Sequence, residues 1–170
     1  MMKKIMIIGC PGSGKSTFAK KLNQITQIPL YHCDMLYWNV DKSYVSKEVF
    51  VQRLNEIISS DQWIIDGNYG STMKLRLEAC DTVFFLDFSV DVCLSGLESR
   101  KGQVREDMPW SGSDEQLDEE LYQFVLNYNI LNRPIVLELL NGYSNKHIKI
   151  FEHRNELDEY LNLLYQTFIQ

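Results

Sequence analysis

The first apolar run, "KKIMIIG", is short, has no helical period and ends on a glycine, which predicts a buried strand. In "KSTFAKKLNQI" the pattern changes at once: Phe18, Ala19, Leu22 and Ile25 recur on one helical face. The alternation then continues. "IPLYH" reads as a second strand, and "SKEVFVQRLNEIIS" as a helix with Phe50, Leu54, Ile57 and Ile58 inward and Ser46 as its cap. "WIID" and "TVFFLD" are the third and fourth strands, and Ser89 or Asp87 can cap the helix that follows. That helix is expected from Val90 to Lys101, with Arg100 and Lys101 in its last turn and Gly102 as the stop. "GQVREDMPWSGSD" is polar and broken by Gly and Pro, a surface excursion. Ser113 and Gln116 make a capping-box pair for a helix in which Leu117, Leu121, Phe124, Val125, Tyr128 and Leu131 share a face. "HIKIFE" is a fifth strand, and a last amphipathic helix carries Leu157, Tyr160, Leu161, Leu164 and Phe168.

Five apolar strands separated by helices imply an α/β fold with a parallel sheet covered on both faces. Ligands bind such sheets at the carboxyl ends of the strands. That places the expected site at the loop after the first strand, at Asp34, at Asp66 to Tyr69, at Asp87 and after Phe151. The 170 residues are expected to form one domain. Hydrophobic content of 45% and charged content of 24% are those of an ordinary globular chain. A net charge of −6 lacks the basic footprint of a nucleic-acid binder. The four cysteines have no metal-ligand spacing and read as reduced thiols of a cytoplasmic protein. The N-terminal apolar run stops too soon for a signal peptide, and no run reaches transmembrane length. A monomer and a homodimer both remain open.

One motif changes the picture. Gly9-Cys10-Pro11-Gly12-Ser13-Gly14-Lys15-Ser16 fits the phosphate-loop pattern GxxxxGKS/T at every fixed position, between a predicted strand and a predicted helix. Glycines at 9, 12 and 14 let the backbone turn its N–H groups onto phosphate oxygens. Lys15 adds a cation for the outer phosphates, Ser16 offers a hydroxyl to Mg²⁺, and the helix supplies its positive end. Gly9, Pro11, Gly12, Ser13, Gly14, Lys15, Ser16 and Thr17 form the expected ATP site.

Other residues fit around it. Asp66 ends "WIID" and either holds Mg²⁺, directly or through water, or serves the turn before Gly67. Asp34 follows a strand and either orients and deprotonates an acceptor hydroxyl or caps a helix. His32 is expected to be packed or hydrogen-bonded locally, and Asp87 to serve as a cap. Tyr37 and Trp38 wall an acceptor pocket or belong to the core. Arg100 and Arg105 bracket the Gly102 break, which either lets both turn toward one anion or leaves them as a solvated basic helix end, and Arg133 in "LNRP" can reach back to the same site.

These segments carry a resemblance. "GCPGSGKST", "YHCDMLYW", "WIIDGNYGSTMKLRLEACDTVFFLDFS", "REDM" and "NRP" resemble small P-loop kinases of the adenylate kinase and shikimate kinase type. They are more closely similar to the family of DNA topology modulation proteins, which is related to adenylate kinase. The resemblance implies a P-loop NTPase three-layer sandwich with strand order 2-3-1-4-5 and a lid at about 102–113. It places Arg100 and Arg105 as lid-side phosphate clamps and Asp34 as an acceptor-binding aspartate. Asp66-Gly67 falls where adenylate kinases carry an Asp-Gly pair, followed here by Asn68-Tyr69 in place of proline and arginine. With Tyr37, Trp38, Asn68 and Arg133 on the acceptor side, the implied activity is transfer of the γ-phosphate of ATP, with Mg²⁺, to a small acceptor. The alternatives are a regulatory NTP-binding protein linked to DNA topology and a bare hydrolase.

Overall fold

The computed structural model describes residues 2–113 and 118–169, so Gln116 and Leu117 of the expected capping box and helix face lie outside the described residues. The elements follow in the order β1 (Lys4–Gly9), α1 (Lys15–Thr26), β2 (Leu30–His32), α2 (Cys33–Tyr37), α3 (Lys47–Ile58), β3 (Trp63–Asp66), α4 (Gly70–Ala79), β4 (Thr82–Leu86), α5 (Val90–Glu98), α6 (Glu119–Leu131), α7 (Arg133–Asn141), β5 (His147–Phe151) and α8 (Arg154–Ile169). The strands form one sheet in the order β2-β3-β1-β4-β5, every pair parallel.

Period two divides the central strand between two cores. Ile5 and Ile7 of β1 join Phe18, Leu22, Phe84 and Phe151 on one face of the sheet. Met6 and Ile8 join Phe50, Leu54, Phe85 and Val136 on the other. Helices therefore bury both faces, which makes three layers.

The predicted boundaries shift where the backbone changes its bonding. The helix after β4 ends at Glu98, not Lys101, because the Arg100, Lys101 and Gln103 amides bond to Leu97 O, Glu98 O and Arg100 O in tight turns leading to Gly102 at φ 69°. Ser46 and Ser89 cap α3 and α5 as expected, accepting from Val49 N and Val92 N. Three helices, α2, α4 and α7, come in addition to those expected from the sequence. In α4 the buried face mixes Met73 and Leu77 with Thr72 and Arg76, so hydrophobicity alone hides it. On α6 only Val125 and Tyr128 are buried, and Phe124 and Leu131 point outward instead of joining the expected face. Asp118 caps α6 at Glu119, through its bond from Glu120 N. Phe168 is half exposed, beyond the buried Leu157 and Leu161 of α8. All four cysteines are buried and free. Among the described residues no helix is long and apolar enough to cross a membrane.

Candidate phosphate site and the cleft beside it

The segment between β1 and α1 wraps a concavity lined by backbone. Gly12 and Gly14 sit at φ 84° and 93°, the left-handed region that a side chain disfavours. Gly14 is also the N-cap of α1, so the helix's free N–H groups open onto the same hollow. Pro11 is half-buried and Thr17 exposed at its rim, and the Ser13 hydroxyl is buried without a partner among the described residues. Gly12 rests directly on α5. A Cβ on Gly12 would lie 2.8 Å from the Cys93 carbonyl carbon, and one on Gly96 would lie 2.9 Å from the Gly12 carbonyl carbon. The loop keeps its shape because two glycines on separate segments let the backbones touch. Nothing local in "LSGLES" marks Gly96 for this role.

Lys15 is buried, and its Nζ donates to Cys10 O at 2.9 Å. Burial and then the nearby Arg100 charge hold its pKa below the usual lysine value. Burial and the neighbouring Arg105 lower Arg100 in turn. Among the described residues the Arg100 guanidinium makes no hydrogen bond or ion pair. Lys15, Arg100 and Arg105 thus form a cluster of cations in which Arg105 depresses Arg100 and Arg100 depresses Lys15, an arrangement suited to a polyanion.

Oxygen ligands lie next to this cluster. The Ser16 hydroxyl is 2.8 Å from both Asp66 Oδ2 and Asp107 Oδ2, though its single proton can serve only one at a time. His32, which pairs with Asp66 across β2 and β3, places Nδ1 2.7 Å from Asp66 Oδ1. The sequence predicts a His32 that is packed or hydrogen-bonded locally. Instead, strand register carries it to a residue 34 positions away. Burial would lower the His32 pKa, but the bond to Asp66 and the Asp66 and Asp107 charges outweigh it and raise it. Asp107 goes the other way: burial works against its charge, but the Arg105 fork and the Ser16 hydroxyl hold it well below the carboxylate range. That fork spans 3.0 and 2.7 Å. Among the described residues no group of three or more His, Cys, Asp or Glu side chains is arranged around a metal position. The Ser16 hydroxyl and the Asp66 carboxylate are hard oxygen donors of the kind Mg²⁺ takes when phosphates and water complete its shell.

Segment 102–113 lies across this site. Val104 and Ser113 bridge at its base, Glu106 meets Lys20 at 2.6 Å, and Trp110 stands 6.1 Å from Trp38. Its Asp107 stands in the "REDM" segment that carries the resemblance, but nothing in that polar stretch marks it as a partner of Ser16.

On the far side of the cleft, Asp34 sits in the first turn of α2. Burial raises its pKa, opposed by the Tyr69 hydroxyl, which donates to Oδ1 at 2.6 Å, and by Arg105, 3.6 Å from Oδ2. Tyr37 and Trp38 stand edge to face at 5.2 Å, and Tyr37 is 4.9 Å from Tyr69. Asn68 is half-buried, its Oδ1 without a partner among the described residues.

Arg133, which could reach back to the phosphate site, is taken up by an ion pair instead. Its guanidinium grips the buried Asp87 carboxylate with two bonds of 2.7 Å, so Asp87 is an ion-pair partner and Ser89 is the cap. Arg76 is fully buried and donates to Gly67 O and Tyr69 O, fixing the turn that presents Asp66 and Tyr69. After β5, Arg154 lies over Phe88 at 5.8 Å, and one of its nitrogens would meet a Cβ on Gly14 at 3.7 Å.

The chain is similar in fold to solved shikimate kinases. A shikimate kinase from Acinetobacter baumannii in complex with shikimate matches with TM-score 0.61 and 17% identity, over 100% of this chain and 97% of that one. A shikimate kinase from Bacteroides thetaiotaomicron matches with TM-score 0.59 and 18% identity, over all of both chains. In sequence, adenylate kinases of Thermotoga petrophila and Thermotoga maritima are each 29% identical over 89 residues, 51% of this chain. That match spans 40% of the length of those relatives. No family model matches the chain. The fold is thus the P-loop three-layer sandwich with the strand order expected from the sequence.

Proposed function

We propose that the protein is a phosphotransferase that moves the γ-phosphate of ATP to the hydroxyl of a small acceptor. The observation that carries this reading is the opposition across one cleft of Lys15 and Arg100 to Asp34, with Arg105 between them. Bound Mg²⁺ would supply charge neutralisation at the β- and γ-phosphates, with Ser16 and Asp66 as its protein ligands.

The chain's own residues do the rest. The loop amides and Lys15 hold the phosphates, and the two arginines meet the negative charge spread over the transferred group. Asp34 takes the acceptor proton as the acceptor oxygen bonds to phosphorus; the bond to the bridging β–γ oxygen breaks and ADP leaves. A carboxyl with a raised pKa is the better base near neutrality. Segment 102–113 acts as the lid that excludes water, with Asp107 on Ser16 and Glu106 on Lys20 fastening it.

The test is ADP release from Mg-ATP with and without candidate hydroxyl acceptors, with mass detection of the phosphorylated product. Acceptor-dependent release with a matching product supports transfer. Tight ATP binding with no product from any acceptor would overturn it in favour of the regulatory reading, and acceptor-independent phosphate release in favour of hydrolysis.

A further inference from the structure

The acceptor side of the cleft has a definite charge, and this inference rests on the phosphotransferase reading above. Asp34 is the anionic group there, and the basic side chains around it are already engaged, apart from Arg100, whose guanidinium, unpaired among the described residues, belongs with Lys15 to the phosphate subsite. Arg53 donates to Leu36 O at 2.7 Å. Arg76 donates to Gly67 O and Tyr69 O, both at 2.8 Å. Arg105 forks onto Asp107 and faces Asp34. Lys42 stands over the Trp110 ring at 5.2 Å. The remaining walls are rings: Trp38 and Trp110 are half-buried, and Tyr44, 6.0 Å from Trp38, is 65% exposed.

A phosphate or carboxylate entering here would lose water, find the local guanidiniums bonded to carbonyls or carboxylates, and face the Asp34 charge. A flat apolar group would gain ring contact, and a hydroxyl or ammonium beside it would gain a carboxylate. We propose that the acceptor is an uncharged or cationic hydroxyl compound with a flat apolar part, and that Asp34 excludes acceptors bearing a phosphate or carboxylate at this end.

The test uses three probes of one shape and three charges: tyramine, 4-(2-hydroxyethyl)phenol and 4-hydroxyphenylacetate. Binding is read without nucleotide by tryptophan emission, to which Trp38 and Trp110 report from the cleft while Trp63 is fully buried in the core. Tyramine and the alcohol are expected to bind at least about tenfold more tightly than the acetate. Asp34→Asn should narrow the gap between tyramine and the acetate to within roughly threefold. The order in the unaltered protein decides by itself. Equal or tighter binding of the acetate overturns the proposal, as does the absence of any response up to roughly 10 mM probe. Because no phosphate moves in this assay, charge selection can fail while transfer stands, and transfer can fail while the binding order holds.

Discussion

Gly96→Ala tests whether the phosphate loop owes its shape to the helix behind it. The new Cβ would point into the loop backbone, with the Gly12 oxygen nearest and the Gly12 carbonyl carbon 2.9 Å away. Ordinary carbon contact needs about 3.5–4.0 Å, so the loop or α5 must retreat by roughly 1 Å. Neither neighbour is a flexible side-chain end, and Gly12 itself abuts the Cys93 backbone, so the strain has no easy outlet. Overpacking of this kind costs about 1–3 kcal/mol, which for a domain this size lowers Tm by roughly 2–10 °C. The functional loss should be larger, because a misplacement of about 1 Å costs on the order of 10²-fold in a positioned reaction. The assay pairs a thermal melt with titration of Mg-ATP. Gly70→Ala is the control, since a Cβ there meets nothing within 4 Å. Nucleotide affinity in Gly96→Ala equal to that of the parent and the control would refute the coupling between α5 and the loop.

Three further variants probe the same geometry. Lys15→Ala should fold normally, since its buried ammonium is desolvated, and should lose transfer by on the order of 10²-fold or more in a single-turnover assay. Asp34→Asn should leave ATP affinity within about threefold in a binding titration and cut transfer by roughly 10²-fold. Burial raises the Asp34 pKa, so the folded chain holds that proton more tightly than the unfolded one, and stability falls as pH rises from about 3.8 through the raised value. The asparagine variant should therefore melt above the parent at pH 7, with the advantage fading as melts are repeated toward about pH 3. Arg133→Met leaves the buried Asp87 carboxylate unpaired, and because the arginine is 37% exposed the expected cost is about 2 kcal/mol by urea denaturation. Its ATP affinity should stay unchanged, and a clear loss there would return Arg133 to the phosphate site.

Short-range signals in the sequence were enough for the strands, for the α1, α3 and α8 helices and for the phosphate loop. A strand buried on both faces shows as an unbroken apolar run, as in "IMII" and "TVFFL", and a surface helix shows its period within a few turns. The phosphate loop is legible because its glycines, lysine and serine act within eight consecutive residues, and Ser46 and Ser89 cap backbone amides three residues on. Helices whose buried face carries polar groups, such as α4 with Thr72 and Arg76, have no such period to read. What joined the pieces of the site was tertiary. His32 meets Asp66 because parallel register sets the two strand ends side by side. Asp107 meets Ser16 across 91 residues, Arg133 finds Asp87 across 46, and Gly96 meets Gly12 where a helix settles on a loop. Caps and periods depend on bonds within one or two turns of chain, whereas these pairings depend on where whole elements come to rest once both sheet faces are buried, and no local residue pattern encodes that distance.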